Sequence, residues 1–218
     1  MTRALRITEA ALAETVAALR PGLTEIEAAR FLEEAMRRRG AEGPAFETTM
    51  ASGPNAALPH ATPGSRKIRE GETVIIDCGA KVNGYRADMT RTVVLGRPQP
   101  WVREIYELVR RAQLAAIKAI GPGVMSDAVD TAARDPIIQA GYGPNFGHAL
   151  GHGVGLATHE APSLSQSRPS LLEVGMIVTV EPGIYLEGRG GVRLEEMVLV
   201  TRTGAKVLNR DQTFYHWS

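Results

Sequence analysis

Two distant stretches of this sequence share one arrangement of glycine and carboxylate, and that arrangement limits the fold more than any other feature. Gly71 is followed six residues later by Asp77 and then Gly79; Gly175 is followed six residues later by Glu181 and then Gly183. In each block an apolar run (residues 73–76 or 176–180) ends at the acid, and a second run beyond a turn carries Asp88 or Glu195. Two helical segments precede each block. The chain therefore reads as two α-α-β-β halves, an α+β fold, and a pseudo-twofold pairing of the halves would bring four carboxylates to one centre. Strand ends collect Gly and Asp in many proteins, so the matching offsets need support from the other motifs.

Local signals place the elements. Residues 4–20 read as a helix stopped by Pro21-Gly22. Thr24 and Glu27 have the spacing of a capping box. They open a second helix with apolar Ile26, Ala29 and Phe31 and a basic end, Arg37-Arg38-Arg39. Residues 41–70, with Pro44, Pro54, Pro59 and Pro63, read as irregular apart from a short strand near 46–49. Asn83-Gly84 predicts a tight turn before a returning strand over 90–95. A long helix is expected over 101–120, with Ile105, Leu108, Ala112 and Ala116 on one face. Ser126 is placed to cap another helix reaching about Ala140, and further strands are expected over 176–180 and 192–200.

Composition narrows the function classes. The 218 residues are enough for one domain, residues 1–218, with a sizeable core. With 25 basic and 24 acidic side chains the net charge is +1, which gives no electrostatic footing on nucleic acid or an anionic membrane. No apolar run approaches the ~20 residues that cross a bilayer, and the N-terminus lacks a signal region. The single cysteine, Cys78, cannot form an internal disulfide, which points to a reducing, cytoplasmic setting.

The residues that carry chemistry are acids and imidazoles. Asp77 ends an apolar run, where a carboxylate is costly to bury unless paired or bound to a cation. Asp88 returns beyond the turn, and two adjacent carboxylates repel unless a cation neutralises them. Taken alone, Asp88 reads better as a surface partner of Arg86 or Arg91 than as a ligand. His148 and His152 lie four apart, but Gly147, Gly151, Gly153 and Gly155 argue against a helix there. His148, His152 and His159 fall within twelve positions, which favours a functional cluster over unrelated surface histidines. Arg193 and Glu195, two apart, share a strand face, whereas Glu196 points the other way and reads as structural. Asp77, Asp88, Glu181, Glu195 and one imidazole form a hard, oxygen-rich donor set whose four negative charges balance two divalent ions. One cysteine excludes a thiolate zinc site.

Five segments, Ile76-Asp77-Cys78-Gly79, the stretch from Gly84 to Thr92, the stretch from His148 to Gly155, Val180-Glu181-Pro182-Gly183 and Val192-Arg193-Leu194-Glu195, together resemble the dinuclear-metal "pita-bread" peptidases. That family includes methionine aminopeptidase, aminopeptidase P and prolidase. The resemblance implies two pseudo-symmetric α-α-β-β halves around a central curved antiparallel sheet. It implies Asp77, Asp88, His152, Glu181 and Glu195 as ligands of two divalent ions, Mn2+ or Co2+, with Zn2+ and Fe2+ as alternatives. Asp77 would bind one ion, Asp88 and Glu195 both, and His152 and Glu181 the other. His60, His148, His159, Glu181 and Arg193 would serve catalysis, and Tyr85, His60, His148 and Arg193 would contact the substrate.

His148 and Arg193 are similar to the proline-specific branch. They imply a peptide substrate with proline second, no nucleic acid or membrane partner, and a homodimer as one assembly. A methionine aminopeptidase and a non-catalytic binding protein on the same scaffold are the alternatives. The proline-specific branch normally carries a separate N-terminal domain, whereas this sequence begins in the first helix of the catalytic unit.

Overall fold

The computed structural model describes residues 1–211 and 214. The first half opens with helices α1 (Thr2–Ala18) and α2 (Glu25–Arg38). Strands β1 (Gly43–Pro44), β2 (Thr49–Ser52), β3 (Thr73–Cys78), β4 (Ala80–Val82), β5 (Tyr85–Arg86) and β6 (Met89–Val94) follow. The second half repeats the order with α3 (Pro100–Ala119) and α4 (Ser126–Gln139). After them come β7 (Gly151–Gly153), β8 (Glu160–Leu164), β9 (Ile177–Val180), β10 (Gly183–Leu186), β11 (Gly190–Arg193), β12 (Glu196–Thr201) and β13 (Gly204–Val207).

All strand pairings among the described residues are antiparallel. The larger half-sheets run β2-β3-β6 and β13-β12-β9-β7-β8, flanked by the small ladders β1-β4-β5 and β10-β11. The central sheet is thus two half-sheets joined at a seam. There Glu195 N donates to Thr90 O at 3.1 Å, and the Thr92 hydroxyl donates to Arg193 O at 2.8 Å while accepting from Arg193 N at 3.0 Å. Each half keeps its own apolar core, one around Leu5, Leu32, Ile76 and Met89, the other around Ile105, Val109, Leu150 and Val180.

The internal repeat is visible in backbone detail. Gly22 and Gly123 adopt φ of 92° and 80°, and Gly40 and Gly141 adopt 91° and 86°. Gly22 N donates to Ile68 O at 2.9 Å, and Gly123 N to Leu172 O at 2.8 Å. Bridges Thr24–Lys67 and Met125–Leu171 match in the same way.

Most local expectations hold, and the departures have physical causes. The capping box forms, with Thr24 and Glu27 bonded reciprocally. The buried face of α2 is Ala28, Ala29, Leu32, Ala35 and Met36. Phe31 falls off that face, 37% exposed beneath the Arg38 guanidinium, and Ile26 is only half-buried. The short strand lies at 49–52, three residues beyond the expected place, because Thr49 pairs with Asp77. Ser126 does not cap its own helix; its hydroxyl accepts from Ser170 N at 3.0 Å and fastens the chain that leads into the second block. The expected strand over 192–200 breaks into β11 and β12, and the break exposes Leu194-Glu195 to the seam.

Candidate metal centre

The four carboxylates meet because each sits where a strand ends or breaks at the seam. Asp77 lies in β3 opposite Thr49 on one side and Thr90 on the other. Between Asp77 and Asp88 the chain leaves the sheet as the β4–β5 hairpin, turned by Asn83 (φ 50°) and Gly84 (φ 79°), the conformation that Asn-Gly favours. A Cβ on Gly79 would overlap the Ala87 carbonyl, so only glycine lets the two ends of this excursion cross closely enough to set the aspartates side by side. Glu181 follows β9, and Glu195 occupies the break between β11 and β12.

Asp77, Asp88, His152, Glu181 and Glu195 all line one cavity of about 930 Å³. The donor atoms of Asp88, His152 and Glu195 lie within 4.8 Å of one another. His152 Nε2 is 3.3 Å from Glu181 Oε1 and 3.8 Å from Asp88 Oδ2. The opposite ring nitrogen, Nδ1, donates to Gly153 O at 3.0 Å, which fixes the ring with Nε2 turned toward the acids. Asp88 is 4% exposed and Glu195 1%, which removes the surface-partner reading of Asp88. Arg91 pairs instead with Glu196 at 3.1 Å and Asp211 at 3.0 Å, and Arg86 donates to Leu156 O.

Outer partners orient the acids. Thr90 Oγ1 donates to Glu195 Oε2 at 2.7 Å, Thr179 Oγ1 to Glu181 Oε1 at 3.0 Å, and Arg193 Nη2 to Asp77 Oδ2 at 2.8 Å. Asp77 Oδ1 and Glu195 Oε1 are buried with no hydrogen-bond partner among the described residues. A buried carboxylate oxygen without a donor is unstable unless a cation meets it.

The electrostatics point the same way. Burial pushes the Asp88 carboxyl well above the usual carboxylate range, and the charge of Glu195 pushes further. Burial likewise raises Glu195 well above its usual range, with Glu181 and Asp77 adding to it. Asp77 is raised by burial against the pull of Arg193. At Glu181 burial is outweighed by the hydrogen bond and charge of His152, so its carboxyl ends below the usual range. Four acids and a single nearby guanidinium therefore suit divalent ions bound through oxygen and one imidazole.

The remaining predicted residues divide. His60 and His159 are exposed on the cavity wall, and the His159 ring centroid is 4.1 Å from that of His152. His148 also lines the cavity, its Nδ1 donating to Ala149 O at 2.7 Å. Burial lowers His148 below its ordinary pKa, so the neutral ring accepts at Nε2 from the Tyr185 hydroxyl, 2.9 Å away. Burial pushes that hydroxyl up to about 12, which keeps it a donor, and it accepts in turn from Arg193 Nη1 at 2.9 Å. Arg193 is 3% exposed and pairs with Asp77 rather than with Glu181 or Glu196. It also donates to Pro59 O at 3.1 Å, which ties the His60 loop to the centre. Tyr85 stands apart: it is 45% exposed on the hairpin and does not line the cavity.

Tyr185 escaped the sequence reading, although it follows Gly183 by two residues on β10 and so shares its strand face. Glu47 and Arg168, both exposed on the cavity wall, were also missed, because an isolated charge in a loop carries no periodic signal.

Residues 1–202 match the metallopeptidase family M24. The chain is 44% identical over 210 residues to the Xaa-Pro dipeptidase of Pyrococcus furiosus, covering 96% of this chain and 60% of that protein. The prolidase structure from Pyrococcus furiosus superposes with a TM-score of 0.95 at 44% identity, over 97% of this chain and 63% of that one. The X-Pro aminopeptidase from Thermotoga maritima gives 0.94 at 44% identity, over 96% and 60%. The chain spans about 60% of the length of the curated relatives it matches. With a pita-bread architecture, a converged acid–imidazole centre and a match over nearly its whole length, this chain belongs to metallopeptidase family M24.

Proposed function

We propose that this chain hydrolyses the bond between an N-terminal residue and a following proline, with two divalent ions held by Asp77, Asp88, His152, Glu181 and Glu195. The observation that carries this reading is the convergence of four carboxylates and His152 Nε2 on one cavity wall, two of their buried oxygens lacking a donor among the described residues. Hard oxygen donors favour manganese or cobalt among the candidate ions. When bound, such ions supply Lewis acidity and lower the pKa of a water.

The chain's own residues do the rest. Glu181, the acid whose carboxyl lies below its usual range, can take a proton from the attacking water and deliver it to the leaving proline nitrogen. His159, on the cavity wall and lowered below its ordinary pKa by partial desolvation, presents an N–H to the cavity for the developing oxyanion. His148, Tyr185 and Arg193 form one hydrogen-bonded chain that stiffens the wall beside Asp77. The Xaa-Pro amide has no N–H, so ring shape must recognise it. The names of the relatives, Xaa-Pro dipeptidase and X-Pro aminopeptidase, support the proline preference. Arg168 at the rim, exposed and with no ion pair among the described residues, suits the free carboxylate of a dipeptide.

The test is kcat/KM on Ala-Pro, Ala-Pro-Ala and Met-Ala-Ala with added manganese, in the unmodified chain and in Glu195→Ala. Hydrolysis of the proline substrates is expected, with Ala-Pro favoured, and Glu195→Ala should fall to background with loss of bound metal. A preference for Met-Ala-Ala, or full activity in Glu195→Ala, would overturn the reading.

A further inference from the structure

The segment that carries His148 and leads into His152 is poorly equipped to hold itself. Phe146 and Leu150 are buried in the second core, but Gly147 interrupts the segment and residues 146–150 form no helix or strand. Its backbone is fastened further by an ion pair on α4. Asp130 is fully buried, and Arg134, one turn later, grips its carboxylate with Nε to Oδ2 and Nη2 to Oδ1, both at 2.8 Å. The guanidinium then reaches outward: Nη1 donates to Phe146 O at 2.9 Å and Nη2 to His148 O at 2.8 Å. Asp130 Oδ1 accepts from Leu150 N at 3.1 Å, and the guanidinium lies over the Phe146 ring, 4.1 Å from its centroid. Backbone groups at three alternate positions, 146, 148 and 150, therefore hang from one salt bridge.

The repeat supplies an internal control. The glycine pairs Gly22/Gly123 and Gly40/Gly141 set α2 and α4 in a common register. In that register Asp130 falls opposite Ala29 and Arg134 opposite Glu33. The first half folds on the same plan without the ion pair, so the α-α-β-β unit does not require it. It occurs in the half that bears His148, His152 and His159.

We propose that Asp130 and Arg134 are positioning residues that set the backbone of 146–150 so that His152 Nε2 faces the acids and His148 meets Tyr185. The inference rests on the metal-centre reading above. Arginine suits the task because its planar fork reaches carboxylate and carbonyls at once, which a lysine ammonium cannot.

The experiment titrates Mn2+ alone into metal-stripped protein, unmodified and as Arg134→Met, Arg134→Lys and Asp130→Asn. It reads Mn2+ affinity by calorimetry, Tm with and without Mn2+, and kcat and KM on Ala-Pro. Removing an outer partner of a metal ligand typically costs 10- to 100-fold, so Arg134→Met should lose about that in Mn2+ affinity and in kcat. KM should move much less, the rise in Tm on adding Mn2+ should shrink, and Arg134→Lys should fall between.

A purely structural role would lower Tm equally with and without metal while leaving affinity and kcat unchanged, and that result overturns the proposal. Should Arg134→Met fail to fold, Arg134→Lys and Asp130→Asn decide by the same criteria. Unmodified protein that takes up no Mn2+ would sink the metal-centre reading, and this inference with it. Strong binding that the variants share would sink this inference alone.

Discussion

His152 and His159 lie ring against ring in one cavity, yet their surroundings prepare them for different work. His152 is tied at Nδ1 to a backbone carbonyl and at Nε2 to Glu181, which leaves it above its ordinary pKa despite burial. His159 has no such partners among the described residues and sits below its ordinary pKa, first through partial desolvation and then through the charge of His152. These surroundings support the proposed roles, the first as a ligand and the second as a neutral donor. His159→Ala should therefore keep its metal content while turnover falls roughly 100- to 1000-fold, the usual loss for one oxyanion donor. Loss of metal in that variant would make His159 a ligand instead. Both histidines stood out in the sequence by clustering. Their division of labour did not, because it depends on a carbonyl and a carboxylate brought in by the fold.

Between elements, backbone crossings decide how closely the ligand-bearing strands approach. At Gly151 a Cβ would overlap the Thr179 carbonyl, whereas at Gly147 nothing lies within 4 Å of that position. Gly151→Ala should thus destabilise the protein by more than about 2 kcal/mol, with no room for relaxation because the obstacle is backbone. Gly147→Ala should stay within about 0.5 kcal/mol, as an open surface position does. Urea unfolding of both variants compares them directly, and equal stability would show that the β7–β9 approach is looser than drawn. The glycine density of this segment was legible in the sequence. Which glycine is indispensable was not, since that depends on the strand across the gap.

Across the whole molecule, the site concentrates groups that prefer to be protonated without metal. Asp88 and Glu195 are raised by burial and by neighbouring acids, Asp77 by burial and Glu181, and His152 by Glu181 against its burial, while outside the cavity Glu196 is pushed by burial to about 7. A group whose pKa is higher folded than unfolded stabilises at low pH, and that stability is lost as pH rises through the folded value. His148 and His159, lowered, act in the opposite sense as pH rises through about 6.5, but they are two against five. In chelator, Tm should fall as pH rises from about 5 to 8. With manganese the fall should vanish or reverse, because binding needs deprotonated ligands and strengthens with pH. A Tm in chelator that is flat or rising over that window would refute the electrostatic account.

The resemblance to the pita-bread peptidases supplied the five-residue ligand set; by itself the sequence determined the two-half plan, the capping box, the Asn83-Gly84 turn and the acids at the ends of apolar runs. Each of these follows from local chemistry: apolar period, turn residues, or acids placed where burial would be costly without a cation. The tertiary structure decided what depends on groups far apart in the chain. It paired Arg193 with Asp77 rather than with its neighbours, because the seam sets β6 beside residues 193–195. It brought Tyr185 between His148 and Arg193, left Tyr85 on the outer hairpin, and hung the histidine segment from Asp130 and Arg134. Local propensity cannot encode such contacts, since they exist only once two separate cores have closed on one seam.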